Sequence, residues 1–406
     1  TSLSGSKLLA IDGVVPAAPT VLTAAGVDGI TLDWVDNAET DLKEYRIYSC
    51  SGLIASSCES QSSFSSLSSV VKTVSTFDHI AVGRGISYYY YVTAIDLRGN
   101  ESLRSNFISW MLPVPVLVAT PTVVVASPNF THIDVMRDVF GTSKHVLLEK
   151  PMCTTMADSI ELRTMAEKHT GMVWIGLEYR YMSPIMSFLN ELEDNVVGDI
   201  KMFFIREHRF PFLKKVDNWN RFNRNSGGTL VEKCCHFFDM MNLVVKSKPV
   251  RIFASGAQDV NHLDERYDGE VPDILDNAFV IVDYENGARA CLDLCMFAEG
   301  GRNEQELVAT GSGGKLEVTI PEGVMTKAGR DYGKFTTRKI ELDPRVNEVG
   351  LHHGASYLEH LDFIHCIEEN LDPRVSVEDG LLSVAMGIAA QESIVRGAPV
   401  QLEELL

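Results

Sequence analysis

The stretch VVVASPNFTHIDVMRDVFGTSKHVLLEKPM, residues 123–152, decides the fold of the second part of this chain. It opens on the apolar run 123–126, which is typical of a strand buried within a parallel sheet. A second apolar run, 145–148, predicts a second strand. Between the two runs a helix ending near Gly141 is predicted, because four apolar residues share one helical face: Ile133, Met136, Val139 and Phe140.

Polar groups directly follow both predicted strands. Pro128 and Asn129 come after the first strand, and Glu149 and Lys150 come after the second. The carboxyl ends of parallel strands lie along one edge of an open sheet, and ligands bind at that edge. A lysine at the end of a buried strand is costly unless it has a partner or a role. We therefore predict a ligand site at this edge.

Three motifs carry a family resemblance: PNFTH at 128–132, EKP at 149–151 and GGTLVEKCCH at 227–236. From about residue 122 to the C-terminus, the chain resembles the Gfo/Idh/MocA oxidoreductases, the family of glucose–fructose oxidoreductase and inositol dehydrogenase. The resemblance implies hydride transfer between NAD or NADP and a hydroxyl of a sugar or polyol. It also implies a homodimer or a homotetramer.

The resemblance assigns roles to individual residues. His236 is the implied proton acceptor, Lys150 lies near both nicotinamide and the reacting hydroxyl, and Glu232 orients substrate or imidazole from the same helical face. The implied cofactor contacts are Pro128, Asn129, His132, Glu149 and Lys150. The substrate-side candidates are Tyr179, Arg180, Trp219 and Arg221, with His352 and His353 as further candidates for the same cleft. Without the resemblance, the Glu232–His236 segment also fits a capped helix with a buried histidine.

Residues 13–112 show a different pattern, of short alternating strands separated by turns. Trp34 on an early strand, DLKEYRIY at 41–48 and YYYYVTAIDLRGNES at 88–102 resemble a fibronectin type III domain, which implies an all-β sandwich. The proline-rich segment 113–122 is predicted to be an extended linker.

The remainder of the chain is predicted to form two further parts. Residues 123–176 are predicted to be a partial dinucleotide-binding segment of the Rossmann type. Residues 177–406 are predicted to be an α+β domain for substrate binding and oligomerisation, with a large and mostly antiparallel sheet. The predicted fold class is therefore multidomain.

One expected motif is missing. A dinucleotide fold binds pyrophosphate with GxGxxG after its first strand, and the sequence contains no GxGxxG. GSGGK at 311–315 lies between strand-like segments and indicates a hairpin turn. We therefore expect weak or absent dinucleotide binding.

Two alternatives to an active enzyme stay open. The chain could be a cofactor-crippled binding or interaction protein that holds a carbohydrate without turning it over. It could also be a chimeric reading frame, since VLVATP at 116–121 is nearly repeated by VVVASP at 123–128.

Composition narrows the choice of partners. With 36 basic and 55 acidic residues the net charge is −19, which disfavours nucleic acid and anionic membranes as partners. No apolar run reaches the length of a membrane span, and no CxxC pair predicts a metal site. Cys50 and Cys58 could form a disulfide or remain thiols. A cytoplasmic protein is predicted, with secretion left open by the fibronectin-like part.

Overall fold

The computed structural model describes residues 14–26, 29–52, 58, 64–83, 86–112, 121–346 and 354–406. The chain divides into two compact units, Thr1–Val118 and Ala119–Leu406. In the described segments, none of the helices combines the length and the apolar character needed to cross a bilayer.

The described part of the first unit is built from strands in two antiparallel sheets. One sheet has the order β1-β2-β5 and the other has the order β4-β3-β6-β7. Their bounds are β1 Thr20–Ala25, β2 Ile30–Val35, β3 Leu42–Gly52, β4 Ser65–Val71, β5 Thr76–His79, β6 Ser87–Asp96 and β7 Ile108–Met111.

Side chains from both sheets form the core of this unit. Trp34 of β2 and Tyr45 of β3 pack edge to face with ring centroids 5.3 Å apart, and Tyr90 of β6 joins the same cluster. The predicted inward alternation of β2 is confirmed, because Ile30, Leu32 and Trp34 are buried and the residues that alternate with them are exposed. A disulfide joins Cys50 to Cys58, which resolves the alternative left open by the sequence.

The second unit begins with the predicted strand–helix–strand crossover, which is confirmed. The strands run parallel in the order β10-β9-β8. The elements are β8 Thr122–Val125, α1 His132–Phe140, β9 His145–Glu149, α2 Met156–Ala166 and β10 Val173–Gly176. Ile133, Met136 and Val139 of α1 are buried, as their spacing predicts.

The prediction of a buried first strand is wrong. β8 lies at the edge of the three-stranded sheet, and only Val125 of its four residues is buried, whereas Val124 is 54% exposed. The apolar run suits a strand with neighbours on both sides, but β8 pairs only with β9 among the described strands. The segment 113–120 before it lies outside the described residues.

A nine-stranded sheet forms the rest of the second unit, in the order β18-β17-β16-β15-β11-β14-β13-β12-β19. All neighbouring pairs are antiparallel except β11 with β14, so the predicted mostly antiparallel sheet is confirmed. The strands are β11 Ile200–His208, β12 Pro249–Ala257, β13 Asn277–Tyr284, β14 Arg289–Cys295, β15 Gln305–Gly311, β16 Gly314–Ile320, β17 Val324–Gly329, β18 Phe335–Lys339 and β19 Val400–Gln401. The GSGGK segment is the turn between β15 and β16, as predicted.

Helices cover one face of this sheet. Ser393 of the long last helix accepts a hydrogen bond from the backbone N–H of Ala254 in β12 at 2.9 Å, which fixes that helix on the sheet. The described helices that follow β10 are α3 Ser183–Glu193, α4 Asn223–Ser226, α5 Thr229–Glu232, α6 Cys235–Val245, α7 Ala355–Glu368 and α8 Val377–Arg396. Of these, α3, α6 and α8 contact strands of the sheet.

Candidate active site

Lys150 connects the parallel strands to the segment that carries Glu232 and His236. It follows β9, and its Nζ donates to the backbone carbonyl of Glu232 at 3.0 Å. Burial lowers the pKa of Lys150, but the neighbouring Cys235 thiol and the carboxylates of Glu178 and Glu232 outweigh burial, so its pKa is raised. Lys150 is therefore a cation at neutral pH.

The helix predicted to carry Glu232 and His236 on one face is broken between them. Glu232 ends the short helix α5, whereas His236 is in the first turn of α6. The Glu232 carboxylate pairs with Lys215 Nζ at 3.2 Å. The carboxylate paired with the imidazole of His236 is instead Glu178, whose Oε2 is 3.6 Å from Nε2. The resemblance implies that Glu232 orients substrate or imidazole; in the structure its carboxylate lies beside Lys215, and the Glu178 carboxylate lies beside the imidazole.

The glycine pair before α5 is required by its backbone. Gly227 and Gly228 have φ of 83° and 84°, in the left-handed region that favours glycine. A Cβ at Gly228 would also collide with the side-chain amide of Gln391, which donates to the carbonyl of Gly227 at 2.8 Å. This close approach fixes the start of α5 against α8 and so places Glu232.

The imidazole of His236 is held from one face by an aromatic ring. Tyr179 stacks on it with centroids 4.0 Å apart and planes 9° apart. The Tyr179 hydroxyl accepts a hydrogen bond from Lys233 Nζ, which also pairs with Glu207 at 2.9 Å. Tyr179 is buried within this arrangement and supports the His236 ring, and its contact with substrate stays a prediction.

The residues of the PNFTH motif take two different places. Asn129 donates from its side-chain amide to the Ser226 carbonyl at 3.1 Å and joins the first strand edge to α4. His132 is fully buried, with its two ring nitrogens 3.0 Å from the carbonyls of Pro151 and Ser127. The cofactor contact of His132 stays a prediction; in the structure its ring nitrogens lie between the two strand-end loops. Pro128 lies at the end of β8, directly before Asn129.

An aromatic pair lies beside the Glu232 carboxylate. Trp219 packs edge to face on Phe130 with centroids 6.4 Å apart, and Lys215 Nζ lies 4.6 Å from the Trp219 ring centroid. Because Lys215 also binds Glu232, this pair is adjacent to the carboxylate, as expected for a substrate-side residue. Phe130 is partly exposed.

Two arginines predicted on the substrate side are used in buried ion pairs. Arg180 binds Asp239 through Nε and one terminal nitrogen, and its other terminal nitrogen donates to the Arg374 carbonyl at 2.6 Å. Arg221 is buried and donates from Nε to Glu265 at 2.9 Å. Their role in substrate binding stays a prediction; in the structure Arg180 pairs with the buried Asp239 and Arg221 with the partly exposed Glu265.

Several functional candidates escaped the sequence reasoning. Glu178 lies beside the His236 imidazole, and Lys233, which pairs with Glu207, binds the Tyr179 hydroxyl. Only Glu178 had a local signal, since it lies two residues beyond the end of the parallel strand β10. Glu149 is at the predicted strand end, and burial followed by the charge of Glu178 raises its pKa. His352 and His353 lie outside the described residues.

Two models of one oxidoreductase family match the second unit. The model of its C-terminal alpha/beta domain matches residues 190–402, which is more than half of the chain. The model of its NAD-binding Rossmann fold matches residues 111–177.

The chain belongs to the Gfo/Idh/MocA oxidoreductase family.

Relatives within this family have related names. The myo-inositol 2-dehydrogenase of Thermotoga maritima is 27% identical over 292 residues, covering 70% of this chain and 80% of the relative. The inositol 2-dehydrogenase of Rhizobium meliloti is 24% identical over 280 residues, covering 67% of this chain and 78% of the relative. A levoglucosan dehydrogenase solved with NADH and levoglucosan has a TM-score of 0.61 and 19% identity, covering 69% of this chain and 80% of that one. The Gfo/Idh/MocA fold is thus shared by enzymes named for polyol and anhydrosugar substrates.

Proposed function

We propose that this chain transfers a hydride between NAD or NADP and a hydroxyl-bearing carbon of a sugar or polyol, with His236 as base and Lys150 as the cation on the reacting oxygen. The observation that carries this proposal is the hydrogen bond from Lys150 to the carbonyl of Glu232, which joins the parallel-strand edge to the segment with His236. The names of the myo-inositol and levoglucosan dehydrogenases support the substrate class.

The side chains divide the work of alcohol oxidation. When bound, nicotinamide accepts the hydride from the carbon. His236 accepts the hydroxyl proton, and the Lys150 ammonium stabilises the negative charge that develops on the oxygen. His236 is only 1% exposed and Glu232 is 3% exposed. Electrostatic interactions at these side chains are therefore stronger than they would be in bulk water.

The substrate class is also supported by the side chains beside Glu232. The ring faces of Trp219 and Phe130 suit the apolar C–H surface of a sugar ring. The carboxylate of Glu232 is an acceptor for sugar hydroxyl groups, and Lys215 offsets its charge.

A substrate screen tests the proposal directly. The purified full chain is mixed with NAD+ or NADP+ and a panel of myo-inositol, scyllo-inositol, levoglucosan and common aldoses, and nicotinamide reduction is followed by absorbance. We expect reduction with at least one neutral sugar or polyol. No reduction with any of them, together with no reverse reaction from the corresponding ketones, would contradict the proposal.

The residues fit the nicotinamide end of the cofactor better than the pyrophosphate end. Asn129, Glu149 and Lys150 lie at the carboxyl ends of β8 and β9, where such a ligand binds. The sequence has no GxGxxG, and the described residues of the first unit form strands without a phosphate-binding helix start. This mismatch favours a second candidate, a non-catalytic carbohydrate-binding protein.

We expect this chain to bind NADH and NADPH with dissociation constants well above one micromolar, because the backbone N–H groups that would hold the pyrophosphate are missing. Isothermal calorimetry on the full chain measures both affinities, with the levoglucosan dehydrogenase solved with NADH as the positive control. Submicromolar binding of NADH or NADPH would contradict this expectation, and a different site for the pyrophosphate would then be required.

We propose a fibronectin type III-like sandwich for residues 13–112, a linker at 113–122, and a boundary near 176 between the partial Rossmann segment and the C-terminal domain. The sheet orders β1-β2-β5 and β4-β3-β6-β7 support the sandwich, since three strands face four, as in domains of this class. The end of β10 at Gly176 supports the last boundary.

We also propose that two copies associate through the open face of the nine-stranded sheet. An apolar row crosses five paired strands on this face: Phe253, Ile281, Cys291, Phe204 and Val308. Charged rows flank it, with Arg251, Asp283 and Arg289 on one side and Asp293, Arg206 and Glu306 on the other. An apolar centre with a charged rim is typical of a protein interface.

Ile281→Asp is expected to abolish this association, because it places a charge in the middle of the apolar row, where Ile281 is 45% exposed. Sedimentation velocity at tens of micromolar should show a dimer or tetramer for the wild type and a monomer for the variant. Val395→Asp, at another exposed apolar position, is the matched control and should keep the wild-type state. A monomeric wild type would contradict the proposal.

A further inference from the structure

Glu178 is the carboxylate paired with the imidazole of His236. It belongs to a short 3-10 helix, Glu178–Tyr181, immediately after β10, and its Oε2 is 3.6 Å from His236 Nε2. Both side chains are almost completely buried. A carboxylate at this distance in a buried place interacts strongly with any charge that forms on the imidazole.

Glu232 contacts two lysines, Lys215 and Lys150. One of its carboxylate oxygens pairs with Lys215, and its backbone carbonyl receives the hydrogen bond of Lys150. The two carboxylates therefore lie in different surroundings. Glu232 lies beside Lys215 and the aromatic pair, whereas Glu178 lies beside the imidazole of His236.

The imidazole has a fixed orientation toward Glu178. Tyr179, the next residue in the chain, stacks on the ring, and Lys233 anchors the Tyr179 hydroxyl. Lys233 is in turn paired with the buried carboxylate of Glu207. The edge and one face of the imidazole are thus held by two consecutive residues of one short helix.

Glu178 lies near two further carboxyl groups. Burial and then the charge of Glu178 raise the pKa of Glu149 and of Glu359. The other titratable groups around this cluster are Lys150, Arg180, Arg209, Lys215, Glu232, Lys233, Cys235 and Asp239.

We propose that Glu178 is a positioning residue that acts through His236, holding the imidazole and stabilising the imidazolium formed when His236 accepts the substrate proton. The inference rests on the proposed function. In that step the C–H bond breaks and the hydride leaves with its electron pair for NAD+ or NADP+. The O–H bond breaks as its proton passes to His236, and the carbonyl forms. Glu178 stays a carboxylate and offsets the new positive charge until the proton leaves for water.

The test uses the full chain with Glu178→Gln, Glu178→Asp and Glu359→Gln. Glu178→Gln should lower kcat for oxidation by about 10- to 100-fold with KM within about threefold, because it removes charge stabilisation but not substrate contacts. Glu178→Asp keeps the charge and should recover most of the loss. Glu359→Gln, the matched buried control, keeps the acceptor for the Trp174 side chain and should remain near wild type.

The pH profile separates this role from a structural one. A nearby carboxylate favours the protonated imidazole, so its removal makes His236 harder to protonate. The acidic limb of the oxidation rate should therefore move to lower pH by about one to two units in Glu178→Gln. An unmoved limb with unchanged kcat in a folded Glu178→Gln variant would overturn the proposal, as would equal losses in the Gln and Asp variants.

A second measurement is independent of turnover. An NMR pH titration of protein with isotope-labelled histidines follows the protonation of the His236 imidazole directly. Its signal is assigned by its loss in His236→Asn. Its midpoint should fall in Glu178→Gln and stay near wild type in Glu359→Gln. If the wild type turns over no substrate, the proposed function fails, but a shifted midpoint still supports the Glu178–His236 pair and an unshifted one refutes it.

Discussion

His236→Asn is expected to lower the rate constant for alcohol oxidation by about 100-fold or more, with substrate affinity within about threefold of wild type. Asparagine keeps a polar side chain of similar size but cannot accept the hydroxyl proton. The effect belongs to kcat, because the proton moves only as the alcohol is oxidised. Stacking on Tyr179 and the Glu178 carboxylate 3.6 Å away hold the imidazole that we propose as the base.

Steady-state and single-turnover kinetics measure this loss. His360→Asn is the matched control, since His360 is a partly buried histidine of α7 that has no place in the proposed chemistry. Circular dichroism and thermal melting are used to check whether both variants are folded. Near-full oxidation by His236→Asn would return α6 to the alternative of a capped helix with a buried histidine.

Lys150→Ala is expected to lower kcat/KM by about 100-fold or more, through both kcat and KM. The variant removes a partly buried cation whose charge interacts favourably with Glu178 and Glu232. It also leaves the Glu232 carbonyl without the ammonium donor, so the segment before α6 loses its tie to β9. The developing oxyanion then has no cation beside it.

Initial rates over a range of substrate concentrations separate the two contributions. Lys150→Arg retains the positive charge and should recover part of the affinity but little of kcat, because the planar guanidinium cannot reproduce the point donor of lysine. Lys168→Ala, an exposed lysine just beyond α2, serves as the control for loss of charge alone. A Lys150→Ala variant with both parameters unchanged would remove Lys150 from the site.

Much of the fold follows from patterns that operate over a few residues. The strand–helix–strand crossover was predicted from the apolar spacing in 123–152, because strand and helix periods each select one buried face. The sandwich strands were predicted in the same way, with Trp34 and Tyr45 both buried. The edge position of β8 was missed, since an apolar run does not reveal whether a strand has one neighbour or two.

The candidate site was predicted only where its residues belong to local motifs. Lys150, Glu232 and His236 were found through EKP and GGTLVEKCCH, and the structure brings their segments together. The ion pairs of Arg180 and Arg221 were not predicted, because an arginine near a motif looks the same whether it faces substrate or pairs with a carboxylate. Their partners, Asp239 and Glu265, lie far away in the sequence.

The sequence by itself determined the family, the order of strands and helices, and the two residues proposed for proton transfer and oxyanion stabilisation. These depend on spacing within short segments and on motifs of a few residues. Only the tertiary structure decided which carboxylate lies beside the imidazole of His236. The break between α5 and α6 turns Glu232 toward Lys215, and the end of β10 brings Glu178 to the imidazole. Charge pairing across a folded core depends on distances between separate elements, and no local pattern records those distances.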